Sequence, residues 1–579
     1  MAIQNPYGRS YISLNGLWHI IIDPYETGSR DMFGAPNPRG YQQNRSPDTA
    51  WWAEYDFAGS PTLEVPGDWN TQREDLLWYE GTIWYQRNLP DIPADGRRRF
   101  IRFGGANYES EVWLNGEPLG KHLGGYTPFE FEVTDHLNAS GNFIVVRINN
   151  QRHRDAVPTL DSDWWNYGGL TRDVLLLDLP RAFIRDYVVQ LVPGTSNQYR
   201  GMVQLDGATA GEQVAIEIDG RQLAAVDVDQ SGLAEVEFAH DLQLWSPDTP
   251  TLHEITVRTA TDSVNDRIGF RSIQREGENI LLNGKPIQLN GISLHEEALT
   301  EPRRAHSEAD ARELLNSVKK LGCNFARLAH YPHNDHMARV ADELGILLWE
   351  EVPVYWAIDW ENPTTLDNAR SQLDSLVRRD RNRASVILWS VANETPVGDA
   401  RNRFLAALID HARQLDATRL VTAALFMRSD KQERNGQTIR TFTVDDPLGE
   451  HLDVLGCNQY LGWYYTFVGD MDSAEWYSSL NKPLIMSEFG AAGRRGHRGA
   501  ADERWTEDYQ VTVYQAQFAM QRKISFLRGT SPWILKDFRT PKRPLPGIQD
   551  YFNRKGLVDE HGRPKAAWTV VADRYAEDP

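Results

Sequence analysis

The second half of the chain alternates short apolar runs with helical patterns, and this rhythm constrains its fold more than any other feature. Runs such as "NFARLA", "ILLWEEVP" and "VILWSVAN" have the length of buried strands, whereas "SEADARELLNSVKKLG" has the period of an amphipathic helix. From "PIQLNG" to "SPWIL" there are eight strand segments with helices between them. This rhythm predicts a (β/α)8 TIM barrel. A doubly wound open sheet is the alternative, but no glycine-rich phosphate fingerprint follows its first strand.

Local signals place some of the helix boundaries. Ser307 is a predicted N-cap, with Asp310 in the first turn of the helix and Gly322 near its end. The segment "SAEWYSSLN" is a predicted helix between the sixth and seventh strands, and "SPWIL" is the predicted eighth strand, with Trp533 inside it.

The first half of the chain has a different pattern, made of regularly spaced strands. "LNGLWHIII", "ESEVWLNGEPLG" and "NFIVVRINN" are short apolar runs separated by turn residues, which predicts a β-sandwich up to about residue 180. The next segment contains "YRGMVQLDG" and "EQVAIEIDG", which alternate at period two and predict an immunoglobulin-like sandwich. The predicted domains are therefore 1–180, 181–275 and 276–579.

Composition excludes several classes of function. The chain carries 81 acidic and 61 basic residues, a formal net charge of -20, which argues against nucleic acid or an anionic membrane as its partner. Its two cysteines, Cys323 and Cys457, have no metal-ligand spacing, so neither a disulfide framework nor a zinc site is predicted. No apolar run reaches the roughly 18 residues of a membrane span. We expect a soluble protein without a cofactor, either cytoplasmic or periplasmic after loss of a signal peptide.

Polar and aromatic residues end the predicted barrel strands, where TIM barrels carry their active sites. They are His295, His330, Asn393, Glu394, Tyr460 and Glu488, and Trp533 lies within the predicted eighth strand. The carboxylates of Glu394 and Glu488 follow the fourth and seventh strands and are expected to face each other across the mouth of the barrel. Paired carboxylates of this kind are what glycosidic bond cleavage requires, because one protonates the leaving oxygen and the other attacks or activates water.

The motifs around these residues resemble glycoside hydrolase family 2. "SVILWSVANET" and "PLIMSEFGA" are similar to its acid/base and nucleophile segments, and "NGISLHEEAL" and "RLAHYPH" to its first two strand ends. "ESEVWLNGEPLGKHLGGYTPFEFEVT" and "LWSPDTPTLHEITV" resemble its jelly-roll and immunoglobulin-like domains. The resemblance implies a retaining exo-β-glycosidase with Glu394 as acid/base and Glu488 as nucleophile. It also implies that Asn393 binds the sugar 2-hydroxyl.

The identity of the sugar depends on the last part of the chain. "NRKG" resembles the Asn-x-Lys motif of the family's β-glucuronidases, in which Asn553 and Lys555 would bind the C6 carboxylate. By the same resemblance Tyr460, Tyr464 and Asp163 would contact the substrate. Galactosidases of the family carry a similar run, so the alternative is a β-galactosidase.

Other residues depart from the glucuronidase pattern or have two interpretations. Gln459 stands where an arginine is usual, and "WILKDFRTPKRPLPGIQD" differs from the usual eighth-strand segment. Arg539, Lys542 and Arg543 form either an anionic subsite or a solvated loop.

The basic residues at the first two strand ends also have assigned roles. His295 and His330 would donate to sugar hydroxyls or orient the glutamates. Arg327 would keep Glu488 ionised from behind it. No His-x-x-x-His spacing indicates a metal.

The resemblance therefore implies hydrolysis of terminal β-D-glucuronides through a covalent glycosyl-enzyme. From another class, the rival is a carbohydrate-binding protein whose barrel has lost catalysis. In either case the partner is a carbohydrate, and nothing in the sequence decides between a single chain and a homo-oligomer.

Overall fold

The computed structural model of the chain describes residues 2–30, 35, 40–41, 57–93, 95–434, 437–465 and 467–577. Two β-sandwiches come first, and a closed barrel of eight parallel strands follows them. The predicted fold class, a multidomain β plus α/β chain ending in a TIM barrel, is confirmed.

The first sandwich packs a six-stranded sheet against a four-stranded sheet. Their alternate residues, such as Trp18, Ile83 and Ile101, meet in one buried core. The larger sheet consists, in spatial order, of Thr62–Val65, Gly16–Asp23, Thr82–Asn88, Phe143–Asn149, Glu109–Leu114 and Glu117–Leu123. The smaller sheet consists of Tyr11–Ser13, Val174–Leu179, Arg98–Phe103 and Phe129–Glu132.

The second sandwich is smaller and joins the barrel through a short three-stranded sheet. Its two sheets enclose a separate apolar core that includes Tyr187, Val203 and Val257. One sheet consists of Phe183–Leu191, Gln198–Asp206 and Leu233–Ala239, and the other of Arg221–Asp227, Gln213–Ile218, His253–Arg258 and Ser263–Ile268. The connecting sheet consists of Ile273–Glu276, Asn279–Leu282 and Lys285–Pro286.

The barrel strands are buried on both faces, which explains why their sequences are continuous apolar runs rather than alternating ones. All eight residues of "VILWSVAN" are buried, for example. In chain order the strands are β1 (Leu289–Leu294), β2 (Phe325–Leu328), β3 (Leu347–Glu351), β4 (Val386–Asn393), β5 (Leu420–Leu425), β6 (Val454–Asn458), β7 (Leu484–Glu488) and β8 (Leu527–Thr530).

Six helices of ten or more residues surround the described barrel. The first begins as predicted, because the Ser307 hydroxyl accepts from the Asp310 backbone and Asp310 bonds back to Ser307. The helices are α1 (Glu308–Lys320), α2 (Asp335–Leu344), α3 (Pro363–Asp380), α4 (Asp399–Leu415), α5 (Glu507–Gln521) and α6 (Ala566–Glu577). Among the described residues, no helix has the length and apolar character needed to cross a bilayer.

Two predictions about the barrel's elements were wrong. The eighth strand is Leu527–Thr530, so Trp533 lies beyond its end instead of within it. The segment "SAEWYSSLN" is not a helix: it contains the strand Glu475–Tyr477, which pairs with Gln437–Thr443. The strand Gln437–Thr443 also pairs with Arg428–Arg434, so these segments form a three-stranded sheet after β5. In a regular TIM barrel a helix would follow β5 directly.

Buried ion pairs join the first sandwich to the barrel. Glu296, just after β1, accepts hydrogen bonds from Arg172 of the sandwich and from Arg304 of the barrel. Burial raises the pKa of Glu296, but these two guanidinium groups outweigh burial and lower the pKa to about 2. Tyr167 also donates to Glu297 over 2.9 Å. These contacts hold the sandwich segment 163–172 beside the mouth of the barrel.

Glu350 points to the opposite face of β3 from Glu351 and is only 2% exposed. No described donor bonds either of its carboxyl oxygens. Burial first, and then the Asp380 carboxylate, raise the pKa of Glu350 well above its ordinary value. Asp380 itself accepts from the Arg379 guanidinium over 2.8 Å. Folding therefore favours the protonated form of Glu350.

We expect Glu350→Gln to stabilise the protein at neutral pH. A group whose pKa is raised by folding favours the folded state fully below its unfolded pKa, and that stability is lost as the pH rises toward the folded value. Gln carries no proton to lose, so the variant should gain on the order of 1 kcal/mol, about the free energy of one pKa unit. Thermal unfolding at about pH 4.5 and about pH 7.5 measures this, and an equal gain at both values would contradict the linkage.

Candidate active site

A cavity of about 560 Å³ opens at the C-terminal ends of the barrel strands. It collects side chains from β6 and β7, from the segments after β2, β3, β4, β5, β6 and β8, and from the first sandwich. The lining residues are Asp163, His330, Tyr355, Trp356, Glu394, Phe426, Met427, Ser429, Asn458, Tyr460, Tyr464, Tyr465, Glu488, Trp533, Arg543, Asn553 and Lys555. Nine of the eleven predicted catalytic and binding residues are therefore brought to one cavity, and His295 and Asn393 are not among its lining residues.

Glu488, the last residue of β7, lies deep in the cavity with both carboxyl oxygens engaged. Arg327 Nη1 donates to Oε1 over 2.7 Å, and the Tyr460 hydroxyl donates to Oε2 over 2.6 Å. Burial raises the pKa of Glu488 above its ordinary value, against the lowering effect of Arg327. The arrangement presents a desolvated carboxylate held in one orientation.

Glu394 follows directly after β4 and has a backbone φ of 49°, an uncommon conformation for a residue other than glycine. Its backbone N–H donates to Ala424 at the end of β5, which holds this turn in place. Asn458 donates to Oε1 over 3.1 Å and the Trp356 indole donates to Oε2 over 2.9 Å. Both donors are neutral, whereas Glu488 is bonded by a cation.

Asn393 and Arg327 lie behind these carboxylates. The Asn393 amide oxygen accepts from Arg327 Nη2 over 2.7 Å and from Asn458 over 3.1 Å. Because its oxygen is occupied, the amide N–H groups of Asn393 are turned away from these two donors. Arg327 is 0% exposed and contacts Glu351, Asn393 and Glu488 at once.

The two predicted histidines have different positions. His330 lines the cavity, and its Nδ1 lies 2.8 Å from Glu351 Oε1. His295 is not among the lining residues; it packs against Phe538 and Trp533 at ring-centroid distances of 4.2 and 5.2 Å. Its Nδ1 lies 3.2 Å from the Tyr331 hydroxyl. His295 therefore supports the aromatic wall from behind.

The first sandwich contributes Asp163, which the loop after β8 holds in place. Thr540 donates to Oδ1 over 2.8 Å, and Arg543 donates to Oδ2. Of the cationic run, Arg543 thus lines the cavity. Lys542 pairs with Asp161 at the rim and lies over the Trp356 ring, and Arg539 lies over Trp165 and Phe552.

Lys555 and Asn553 lie together in the part of the cavity that Tyr464 closes. Lys555 is 3% exposed, and its Nζ donates to the Tyr464 hydroxyl over 2.7 Å. The rings of Tyr460 and Tyr464 lie 5.2 and 4.7 Å from this ammonium. No described carboxylate lies within 4 Å of Lys555 Nζ, so its charge is held by aromatic faces and a phenol alone.

Sequence reasoning missed Glu351 and Asn458, although each ends a barrel strand. Glu351 is the second glutamate of "LLWEE" and Asn458 precedes Gln459 in "LGCNQ". The strand-end rule that identified Glu488 would have found both, had it been applied to the last residues of β3 and β6. Among the described residues, no three His, Cys, Asp or Glu side chains are grouped as metal ligands.

Family profiles match three consecutive parts of the chain. The profile for "Glycosyl hydrolases family 2, sugar binding domain" matches residues 11–180, and the profile for "Glycosyl hydrolases family 2" matches 190–271. The profile for "Glycosyl hydrolases family 2, TIM barrel domain" matches 273–577, more than half of the chain.

Individual relatives match nearly all of this chain and at least nine-tenths of their own length. A β-glucuronidase from Felis catus is 27% identical over 98% of this chain and 91% of its own. A β-glucuronidase from Bifidobacterium dentium, solved with coumarin-3-O-glucuronide, has a TM-score of 0.83 at 24% identity and covers 100% of this chain and 98% of its own. A β-galacturonidase from Eisenbergiella tayi, solved with galacturonate, has a TM-score of 0.80 at 23% identity and covers 100% of this chain and 99% of its own. The two solved structures show a common fold.

We expect Tyr460→Phe to slow hydrolysis of an aryl glycoside by roughly 10- to 100-fold, since it removes one hydrogen bond to a charged group. The Tyr460 hydroxyl lowers the pKa of Glu488, so its loss should raise that pKa. The acidic limb of the kcat/KM profile should then move to higher pH.

A matched control is Tyr477→Phe, because the hydroxyl of the exposed Tyr477 donates to Glu475, away from the cavity. This variant should keep the wild-type profile. An unmoved acidic limb in Tyr460→Phe would show that this hydroxyl does not control Glu488.

Proposed function

The chain belongs to glycoside hydrolase family 2, and from this premise we propose that it is a retaining exo-β-glycosidase acting on terminal β-D-glucuronides. The catalytic pair is Glu394 and Glu488. The domains that carry them are proposed to be a jelly-roll sandwich of residues 1–180, an immunoglobulin-like sandwich of 181–275 and the barrel of 276–579.

The observation that carries the choice of sugar is the environment of Lys555. A buried ammonium group is costly unless it is paired, and the described cavity offers it one phenol and aromatic rings. A C6 carboxylate of the substrate would complete this site, with Lys555 as the cation and Asn553 as a neutral donor beside it. The β-glucuronidase names of the relatives support the same sugar.

The proposed reaction has two steps. In the first, a Glu488 oxygen attacks the anomeric carbon while Glu394 transfers its proton to the glycosidic oxygen, so the aglycone leaves as an alcohol. In the second, Glu394 removes a proton from water, and the water oxygen displaces Glu488 to release the sugar. Trp356 and Asn458, both neutral donors, orient Glu394 without fixing its charge, which suits a group that gains and loses a proton.

Asn393, behind the carboxylates, and the remaining lining residues are proposed to bind the sugar ring. Asn393 would donate its amide to the 2-hydroxyl, since its amide oxygen is already taken by Arg327 and Asn458. Asp163 would accept from a hydroxyl on the far side of the ring, and Trp533 would form an apolar floor. His330, Tyr460 and Tyr464 would complete the hydrogen bonding.

Three alternatives to a β-glucuronidase differ in their substrate or in whether they turn it over. A β-galactoside lacks the C6 carboxylate and would leave Lys555 unpaired. A β-galacturonide keeps that carboxylate and differs only at C4, so it belongs in the same assay. A carbohydrate-binding protein without turnover has no use for Glu488 held between a guanidinium and a phenol.

We expect Glu488→Gln to lower the kcat for nitrophenyl β-D-glucuronide by roughly a thousandfold or more, because the amide cannot form the covalent intermediate. Glu394→Gln should lose less of the first step than Glu488→Gln does, because the nitrophenyl leaving group needs little protonation. External azide should restore turnover to the Glu394→Gln variant. Wild-type kcat in Glu488→Gln would refute the assignment of the nucleophile.

For Lys555→Ala, we expect the kcat/KM for the glucuronide to fall by the equivalent of roughly 2 to 5 kcal/mol, the range for removing one partner of a buried charge pair. Activity on the galactoside should change far less. Lys542→Ala is the matched control, because Lys542 is half-exposed at the rim and pairs with Asp161. Equal losses on both sugars in Lys555→Ala would refute carboxylate recognition.

A further inference from the structure

Two adjacent glutamates end β3, and only the second, Glu351, reaches the catalytic cluster. Arg327 donates to both of its oxygens, from Nη2 over 3.0 Å and from Nε over 3.2 Å. The Trp349 indole donates to Oε2 over 2.8 Å, and His330 Nδ1 lies 2.8 Å from Oε1. Glu351 is 1% exposed. Two of these groups, Arg327 and His330, also lie beside Glu488.

The bonds to Glu351 also determine which nitrogen of His330 carries the proton. Burial raises the pKa of Glu351, but Arg327 and His330 outweigh it and lower that pKa to about 2, so the group is a carboxylate that only accepts. Arg327 Nη2 lies 3.2 Å from the same Nδ1, but its two hydrogens are directed at the closer Glu351 and Asn393 oxygens. His330 Nδ1 therefore carries the hydrogen that lies toward Oε1. In the neutral ring, Nε2 is then an acceptor on the side of Glu488, whose Oε1 lies 3.8 Å away.

We propose that Glu351 is a positioning residue that aims Arg327 at the nucleophile, fixes the tautomer of His330, and shares the charge of Arg327 so that Glu488 stays reactive. This inference rests on the proposed role of Glu488. Arg327 lies between two carboxylates, 2.7 Å from one and 3.0 Å from the other. If Glu351 lost its charge, the full charge of the guanidinium would act on Glu488.

The direction of the effect follows from the sign of that charge. An uncompensated cation beside a carboxylate favours its ionised form and lowers its pKa, and it also makes the carboxylate a weaker nucleophile. The same cation opposes the positive charge that develops on the sugar in the transition state. The titratable and charged groups that face Glu488 from the packed elements are Arg327, His330, Glu351, Tyr355, Glu394 and Tyr460.

The test is Glu351→Gln, which keeps the shape of the side chain and removes its charge. The kcat and KM for nitrophenyl β-D-glucuronide are measured against pH. We expect the acidic limb of kcat/KM to move to lower pH by about one unit, with kcat reduced by roughly 30-fold or more and KM within about threefold. The neighbouring Glu350→Gln is the matched control, because Glu350 is equally buried on the other face of β3. It should leave the limb in place.

A titration independent of turnover separates this inference from the proposed function. The Glu488 side-chain carbon is followed by 13C NMR in glutamate-labelled protein and assigned by its absence in Glu488→Gln. If the wild type does not hydrolyse the glucuronide, the proposed function fails, and the Glu488 titration still has to move to lower pH in Glu351→Gln. The inference would be overturned if both the Glu488 titration and the acidic limb of Glu351→Gln lay within about 0.2 pH unit of wild type. It would also be overturned if Glu350→Gln shifted them by the same amount as Glu351→Gln.

Should Glu351→Gln fail to fold, Glu351→Asp decides the question. Aspartate keeps the charge but withdraws the carboxylate by one methylene. The acidic limb should therefore stay within about 0.3 unit of wild type while kcat falls by roughly 10-fold, because Arg327 and His330 lose their alignment. Full wild-type kcat in this variant would overturn the positioning role.

Discussion

The top of the barrel depends on one buried cation, the guanidinium of Arg327. It bonds residues at the ends of three other strands: Glu351 on β3, Asn393 on β4 and Glu488 on β7. A charge removed from water is tolerated only when its donors find partners, so these strand ends must keep one relative placement. The requirement that stabilises this end of the barrel also holds the proposed nucleophile in its orientation. Stability and chemistry therefore share the same hydrogen bonds.

The barrel does not form the cavity alone. The first sandwich supplies Asp163 to the cavity and Trp164 to the aromatic wall around His330. This placement rests on the buried cluster of Arg172, Glu296 and Arg304, together with aromatic packing such as that of Tyr126 on Tyr331. A change at Glu296 would therefore reach the cavity through the sandwich. Under the proposed function, this ion cluster lets the first sandwich influence which ring hydroxyls are bound, although the sandwich takes no part in bond cleavage.

Much of this organisation could be predicted, because buried strands and capped helices have local causes. The apolar run "VILWSVAN" and the cap at Ser307 each depend on neighbours a few residues away. The errors have distant causes. "SAEWYSSLN" is a strand only because Gln437–Thr443 offers it an edge, and Trp533 leaves β8 to pack against His330 and Phe538. The bond between Arg543 and Asp163 joins residues 380 positions apart, which no local pattern encodes.

The aromatic enclosure of Lys555 also bears on what happens after the reaction. Under the proposed function, cleavage changes the anomeric centre but leaves the C6 carboxylate untouched, so the released uronic acid carries the group that the ammonium holds. Such a product competes with fresh substrate for the cavity. Sustained flux would then depend on a subsequent reaction that removes or transforms the free uronic acid, and simple carboxylate buffers would act as weak inhibitors.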